Sequence, residues 1–338
     1  IVFFVRMFRV FGTWDYIVAR SEITQEILRV CFTISIILSL IMTVVFYSGA
    51  DLFGTFFNSA QLPDVLKLMA LTFLIFPFGV VSQALMQREM KFSQLAMVQL
   101  VTAFVETATV IILAALDFGV MSLAWGFFIG SLASIGVVAV LDRRHIVLKP
   151  KLKGCYSVFK FGTLSLFSNM MSQLGEQSPA LIVGKVLGAV EVGFFSRGQS
   201  SISIFKHAIE SSTGKVAQSW FAQVSRVNGQ QVQNIYLKVI RLSSGLSWPF
   251  YTFLFFNAAT IIPLLLGDQW SRSIPIVQAL AVGGLFAPYS FYGSKLLVGR
   301  GEVGYQFRYD MLAQGLRILL LLFAASYGIL VFAWAAAL

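Results

Sequence analysis

The sequence predicts an all-α, polytopic membrane protein assembled from two like-oriented helix bundles. Three observations predict it. First, 57% of the 338 residues are hydrophobic and 12% charged, with a mean hydropathy of +0.81. A soluble domain is near half apolar and a quarter charged. Second, the apolar residues form runs long enough to cross a hydrocarbon core of about 30 Å, which takes about 20 residues of helix. Third, a set of landmarks occurs twice. Pro63, Pro77 and Arg88 return as Pro275, Pro288 and Arg300, roughly 211 residues later, and Gln94 returns as Gln306. Phe118-Gly119 followed by Ala124-Trp125 returns as Tyr327-Gly328 followed by Ala333-Trp334. Two like-oriented bundles in one chain is the arrangement of many carriers, with substrate held between the halves.

Membrane helices are expected over 27–48, 65–86, 95–116, 120–141, 163–186, 190–212, 237–265, 274–298 and 307–326, with partial ones at 1–12 and 328–338. Residues 92–141 contain no Lys or Arg, and their only charges are Glu106 and Asp117. Between 242 and 271 the only charge is Asp268. The chain opens on Ile1 inside a helical pattern, and Leu338 corresponds by the repeat to the middle of a helix, so both ends read as cut through membrane helices.

Basic residues alternate between connections. Arg20 and Arg29 precede the first full helix; Arg88 with Lys91, the loop around Arg143, Arg144, Lys149, Lys151 and Lys153, the group Lys215, Arg226, Lys238 and Arg241, and Arg300 with Arg308 follow at every second connection. The intervening connections have almost none, Arg272 being the exception. Placing the basic loops in the cytoplasm gives one consistent topology. The loop 142–156, with Lys149-Pro150-Lys151, is the expected boundary between an N-terminal lobe (1–150) and a C-terminal lobe (151–338). The segment 213–233 is more polar and amphipathic, and is expected along the cytoplasmic interface. Pro77 and Pro288 are expected to kink equivalent helices. Gly126/Gly130 and Gly184/Gly188 have the small-xxx-small spacing of close helix contacts.

The net charge of +10 falls in loops, where topology accounts for it, and no nucleic-acid partner is expected. Two cysteines (Cys31, Cys155) and two histidines (His145, His207) make no metal or disulfide framework. No phosphate-binding loop, HExxH or nucleophile elbow occurs, so neither an enzyme nor a cofactor is expected.

Polar groups inside the spans are the informative ones, because charge in hydrocarbon is costly. The helix over 163–186 carries Asn169, Gln173, Glu176 and Gln177 before Pro179, at spacings that share one face. The next holds Ser196, Arg197, Gln199, Ser200, Lys206, His207 and Glu210. Either this pair lines an aqueous cavity or its members hydrogen-bond each other in a packed bundle. Arg197 stands either as a substrate contact or as an interfacial anchor that snorkels. Lys185 reads as an anchor, and Lys295 as a cavity-lining candidate. Glu106 and Arg317 occupy nearly equivalent places in the two repeats, as a structural pair, as unrelated residues or, for Glu106, as a coupling-ion site.

Gln87-Arg88-Glu89-Met90-Lys91-Phe92 after Pro77-Phe78-Gly79, Gly119-Val120-Met121-Ser122-Leu123-Ala124, Gly184-Lys185-Val186-Leu187-Gly188 continuing to Val192-Gly193-Phe194-Phe195-Ser196-Arg197, Trp248-Pro249-Phe250, and Leu266-Gly267-Asp268-Gln269-Trp270 together resemble the oligosaccharide (O-antigen and exopolysaccharide) flippases of the multidrug/oligosaccharidyl-lipid/polysaccharide exporter superfamily. Their order and spacing, rather than any single motif, carry the resemblance over nearly the full length. One departure is Val216-Ala217-Gln218-Ser219, where relatives have an aromatic-Pro step.

The resemblance implies two six-helix lobes around a central cavity, lined by the first two helices of each lobe. It also implies alternating-access movement of undecaprenyl-pyrophosphate-linked oligosaccharide across the bacterial inner membrane, for lipopolysaccharide or exopolysaccharide synthesis. Membrane lipids and polysaccharide polymerase machinery are the implied partners. Arg197, Lys206 and Lys295 suit the anionic pyrophosphate, and Gln173, Glu176, Gln177 and Gln199 suit the glycan. A peptidoglycan-precursor lipid flippase and a drug/cation antiporter of the same superfamily are the alternatives.

Overall fold

The computed structural model describes residues 12–56, 61–145, 148–152, 154–227 and 231–337. The partial helix expected over 1–12 lies outside them apart from Gly12. Every long element is an α-helix, as the apolar runs require: without water, only helices and closed barrels satisfy their own backbone in a bilayer. The chain divides into two units, Ile1–Leu166 and Phe167–Leu338.

The first unit contains α1 (Thr13–Ala19), α2 (Gln25–Phe56), α3 (Leu62–Ile75), α4 (Pro77–Arg88), α5 (Phe92–Ala115), α6 (Met121–Leu141) and the first turns of α7 (Cys155–Val186). Pro63 sits in the first turn of α3, where its missing N–H costs nothing. Pro77 ends α3 and starts α4, and the two helices meet at a bend of 55°. α3 packs against α2 and α6, α6 against α5, and α4 against α1. The α5–α6 contact depends on the two glycines singled out by their spacing. A Cβ at Gly126 would come within 2.3 Å of Val110, and one at Gly130 within 2.9 Å of Glu106.

The rest of α7, then α8 (Ala189–Val227), α9 (Val232–Leu266), α10 (Ile274–Gly299), α11 (Val303–Ala325) and α12 (Ile329–Ala337), form the second unit. Here α10 packs against α9 and α12, α12 against α11, and α8 against α10. The order of elements and their packing partners thus repeat: α2 to α6 correspond to α9 to α12, with α3 and α4 together matching α10. Both repeats turn after the landmark arginine through a left-handed residue, Met90 (φ 56°) in one and Gly301 (φ 77°) in the other.

Among the described residues five helices are long and apolar enough to cross a membrane, and a sixth if the bent α3–α4 pair counts as one. The chain is a multi-pass membrane protein. Large side chains left bare, such as Leu100, Phe104 and Ile111 on α5, are what a lipid-facing surface requires. α7, α8 and α11, also expected to span, are not among the five.

Four features bear on these expectations. The division between units falls inside α7 rather than in the loop 142–156, because that loop is pinned to the first unit. The Lys151 N–H donates to Thr33 Oγ1 at 2.9 Å and its ammonium pairs with Glu26. Beyond it, Tyr16 and Ser157 hydroxyls meet at 3.2 Å, and Gly12 lies against Gly162 and Ser165 of α7. Second, residues 213–227 are not a separate interfacial segment but the last turns of α8. No proline interrupts Val216-Ala217-Gln218-Ser219, so the helix continues for 39 residues, about 58 Å. Third, Pro288 lies within an unbroken α10. Fourth, a Cβ at Gly184 would lie 3.1 Å from Val192, but Gly188 makes the positive-φ turn (97°) between α7 and α8, where an added Cβ would meet nothing within 4 Å.

Candidate functional site: a cationic face on α8

α8 is polar for a membrane helix, and its hydroxyls are handled locally. Ser200, Ser201 and Ser203 donate to the carbonyls of Ser196, Arg197 and Ser200. Such back-bonding satisfies a hydroxyl in an apolar setting and leaves the cations as the distinctive groups.

Arg197, Lys206 and Lys215 are spaced nine residues apart, and at about 100° per residue each step turns to the opposite face. Lys206 faces α7, and its Nζ lies 3.0 Å from Glu176 Oε1. These two candidates therefore neutralise one another. Arg197 and Lys215, five turns apart, fall on the other side of an ideal helix and are both exposed. Glycines permit the close approach beside each: a Cβ at Gly198 would lie 3.0 Å from Ile276, and one at Gly214 2.7 Å from Phe291 and 3.7 Å from Lys295 Cε.

The exposed Arg197 guanidinium sits 5.3 Å from the ring centre of Trp270, in the connection between α9 and α10. Trp270 in turn meets Phe194 edge-on at 5.8 Å, and Phe194 carries Arg272, whose own charge is paired with Glu191 at 2.6 Å. The cation–π contact fixes Arg197 without cancelling its charge, and no carboxylate pairs with it among the described residues.

At the other end, Lys295 Nζ lies 5.5 Å from the Phe291 ring centre, beside Lys215. Although Lys215 reaches the surface, the surrounding protein, and then the neighbouring Lys295 cation, hold its ammonium below its ordinary value. Lys215 and Lys295 thus bring two ammonium groups close together at this end of α8.

The two cationic places are separated by eighteen residues of helix, about 27 Å of rise. They therefore do not form one clamp, although the sequence offered Arg197, Lys206 and Lys295 together. Gln173, Glu176 and Gln177 lie on α7, with Glu176 and Gln177 exposed, and Gln199 lies half-buried on α8. Only Lys206 is joined to that stripe by a bond described here; Arg197 faces Trp270 instead. The side chain of Glu210 lies outside the described residues.

Two polar groups escaped sequence reasoning. Lys215 looked like a loop charge, because the helix was expected to end before it. Asp310 sat among Arg308, Tyr309 and Gln314 near a basic turn and drew no notice, yet it is 5% exposed and accepts a hydrogen bond from the fully buried Ser168. Its i, i+4 relation to Gln306 and Gln314 was the available signal.

Residues 1–275 match the family described as polysaccharide biosynthesis protein. The chain is 21% identical over 307 residues to the teichuronic acid biosynthesis protein TuaB of Bacillus subtilis, covering 87% of this chain and 61% of that one. It is 21% identical over 305 residues to the lipopolysaccharide biosynthesis protein WzxC of Escherichia coli, covering 89% and 61%. With the succinoglycan biosynthesis transport protein ExoT of Rhizobium meliloti it shares 23% identity over 307 residues, 90% and 62%. The chain thus spans about three fifths of the length of these curated relatives. Among solved structures it matches MATE in the straight conformation with a TM-score of 0.83 at 13% identity, over 99% of this chain and 82% of that one. A MOP superfamily transporter from Pyrococcus furiosus matches with a TM-score of 0.78 at 14% identity, over 98% and 79%. These likenesses show a shared fold of paired helix repeats. The match over residues 1–275, well beyond half of the chain, places this protein in the polysaccharide biosynthesis protein family.

Proposed function

We propose that the protein is part of a flippase, not an enzyme, that moves an undecaprenyl-pyrophosphate-linked oligosaccharide across the bacterial inner membrane by alternating access. The observation that carries the reading is the pair of cationic places on one face of α8, about 27 Å apart along the helix. That is close to the thickness of a hydrocarbon core, about 30 Å. With the basic loops in the cytoplasm, the Lys215–Lys295 pair lies at the loading end and Arg197 at the delivery end. Lysines receive the pyrophosphate as point charges, and the guanidinium offers a planar fork that matches its oxygens. Gln173, Gln177 and Gln199 are the groups offered to the glycan, and the Lys206–Glu176 pair holds α7 to α8. The delivered glycan is then available to the polymerase machinery.

Support comes from the family, from relatives named for lipopolysaccharide and succinoglycan biosynthesis, and from the basic lean of the site, which suits an anion better than a drug cation. The test is transport of a radiolabelled lipid-linked glycan in vesicles holding the full-length protein. Arg197→Ala should abolish delivery at an unchanged protein level, and Arg197→Lys should restore part of it, since lysine makes no bidentate contact. Wild-type transport by the alanine variant would leave Arg197 an interfacial anchor.

A further inference from the structure

Where α7 begins, in the first unit, two basic side chains stand beside an exposed aromatic face. One side of α7 packs on α1. The Ser157 hydroxyl meets that of Tyr16 at 3.2 Å, the Phe161 ring meets the Tyr16 ring edge-on at 5.2 Å, and Val158 is buried. At about 100° per residue, Tyr156 and Phe159 point away from that side and Lys160 stands at its border. Tyr156 is 75% exposed and Phe159 52%, and Lys160 is exposed as well.

The second cation comes from α1. Arg20 places its guanidinium 5.7 Å from the centre of the Tyr16 ring, the same ring that meets Phe161. The Arg20 carbonyl accepts from Arg88, which also donates to the Ile17 carbonyl at 2.8 Å and the Ser21 carbonyl at 2.9 Å. The end of α1 is therefore fixed, while the Arg20 side chain stays exposed. Among the described residues no carboxylate pairs with Arg20 or Lys160. Asp15 accepts from Ser165 at 3.2 Å, and Glu26 pairs with Lys151. Two uncancelled cations beside exposed rings fit a ligand with an anionic head and an apolar body.

We propose that Arg20, Lys160, Tyr156 and Phe159 form a seat for an anionic phospholipid of the surrounding bilayer. The two cations flank the headgroup phosphate. The rings lie along the glycerol and the upper acyl chains, an apolar contact that a soluble anion cannot use. With the basic loops in the cytoplasm, the lipid belongs to the inner leaflet, and tyrosine is at home at that boundary. A lipid seated there bridges α1 and the start of α7. This seat goes beyond the glycan reading and its test needs no glycan.

The experiment is retention of radiolabelled phosphatidylglycerol by the purified full-length protein in mixed micelles of a non-ionic detergent. Saturable binding is expected, displaced by unlabelled phosphatidylglycerol but not by phosphatidylcholine or glycerol phosphate. Arg20→Gln/Lys160→Gln should weaken it at least about tenfold, and Tyr156→Ala/Phe159→Ala should weaken it less. Arg144→Gln/Lys149→Gln removes two exposed cations outside the seat and should leave binding unchanged. Absence of saturable binding in the unaltered protein, or equal displacement by phosphatidylcholine, would overturn the seat. So would an equal loss in both charge variants, the sign of a diffuse basic surface, or displacement by glycerol phosphate, which would make it a plain phosphate site.

Discussion

Pro77 and Pro288 occupy the same position in the two repeats, yet one breaks its helix and the other does not. α3 and α4 meet at 55° around Pro77, whereas α10 runs unbroken through Pro288. A proline removes one backbone hydrogen bond and crowds the carbonyl four residues earlier, so the difference must come from what surrounds each ring. Before Pro77 the helix tightens, with the Phe76 N–H donating to Phe73 at 3.3 Å. The break opens on a small cavity of about 20 Å³ lined by Thr72, Gly79, Gln83, Ser131 and Ser134. That is room for about one water. Around Pro288, side chains of α9 serve the α10 carbonyls instead: Trp248 Nε1 donates to Leu285 O at 3.0 Å and the Tyr236 hydroxyl to Tyr289 O at 3.3 Å. Gly284 also lets the Tyr251 ring lie flush, where a Cβ would come within 2.7 Å. A proline's effect on a membrane helix is therefore decided by whether a neighbour can satisfy the carbonyls around it.

The comparison breaks first at Pro77. Pro77→Ala restores the lost donor and should straighten α3–α4, lengthening the distance between spin labels at its two ends by about 4 Å. An unchanged distance would mean that packing, not the ring, sets the bend. The smaller converse is Trp248→Phe, which keeps the ring and removes the donor to Leu285. It should cost about 1 kcal/mol in reversible unfolding and raise amide exchange in α10 around Pro288, with no change around Pro77. Smallest is a titration at the loading end. Because Lys215 is depressed in the folded protein from its ordinary value of 10.5, the unfolded chain binds more protons in that window. Stability of the ligand-free protein should rise as pH climbs from the depressed value to 10.5. Lys215→Met should flatten that rise, and an identical pH profile in the variant would contradict the depression of Lys215 by burial and by Lys295.

Composition and the repeated landmarks made the helices, their order and their repetition legible, because lipid imposes its pattern on most of them. What stayed hidden depended on contacts between helices. The Pro77 and Pro288 sequences look alike, and side chains of α9 (Trp248, Tyr236 and Tyr251) separate them. Spacing along one helix put Gln173, Glu176 and Gln177 together, but it could not reveal that Lys206 cancels Glu176. Asp310 was missed because Ser168, its partner, lies 142 residues away. Lys215 was missed because α8 lacks the proline that would have ended it.

The central claim is that one face of α8 serves the anionic headgroup at two places, the lysine pair first and Arg197 second. It is tested most directly by measuring binding and delivery of the same radiolabelled pyrophosphate lipid in full-length variants. Lys215→Ala/Lys295→Ala should lose binding about tenfold or more and deliver little, whereas Arg197→Ala should still bind and fail to deliver. Equal binding by both variants and the unaltered protein, with delivery intact, would contradict it.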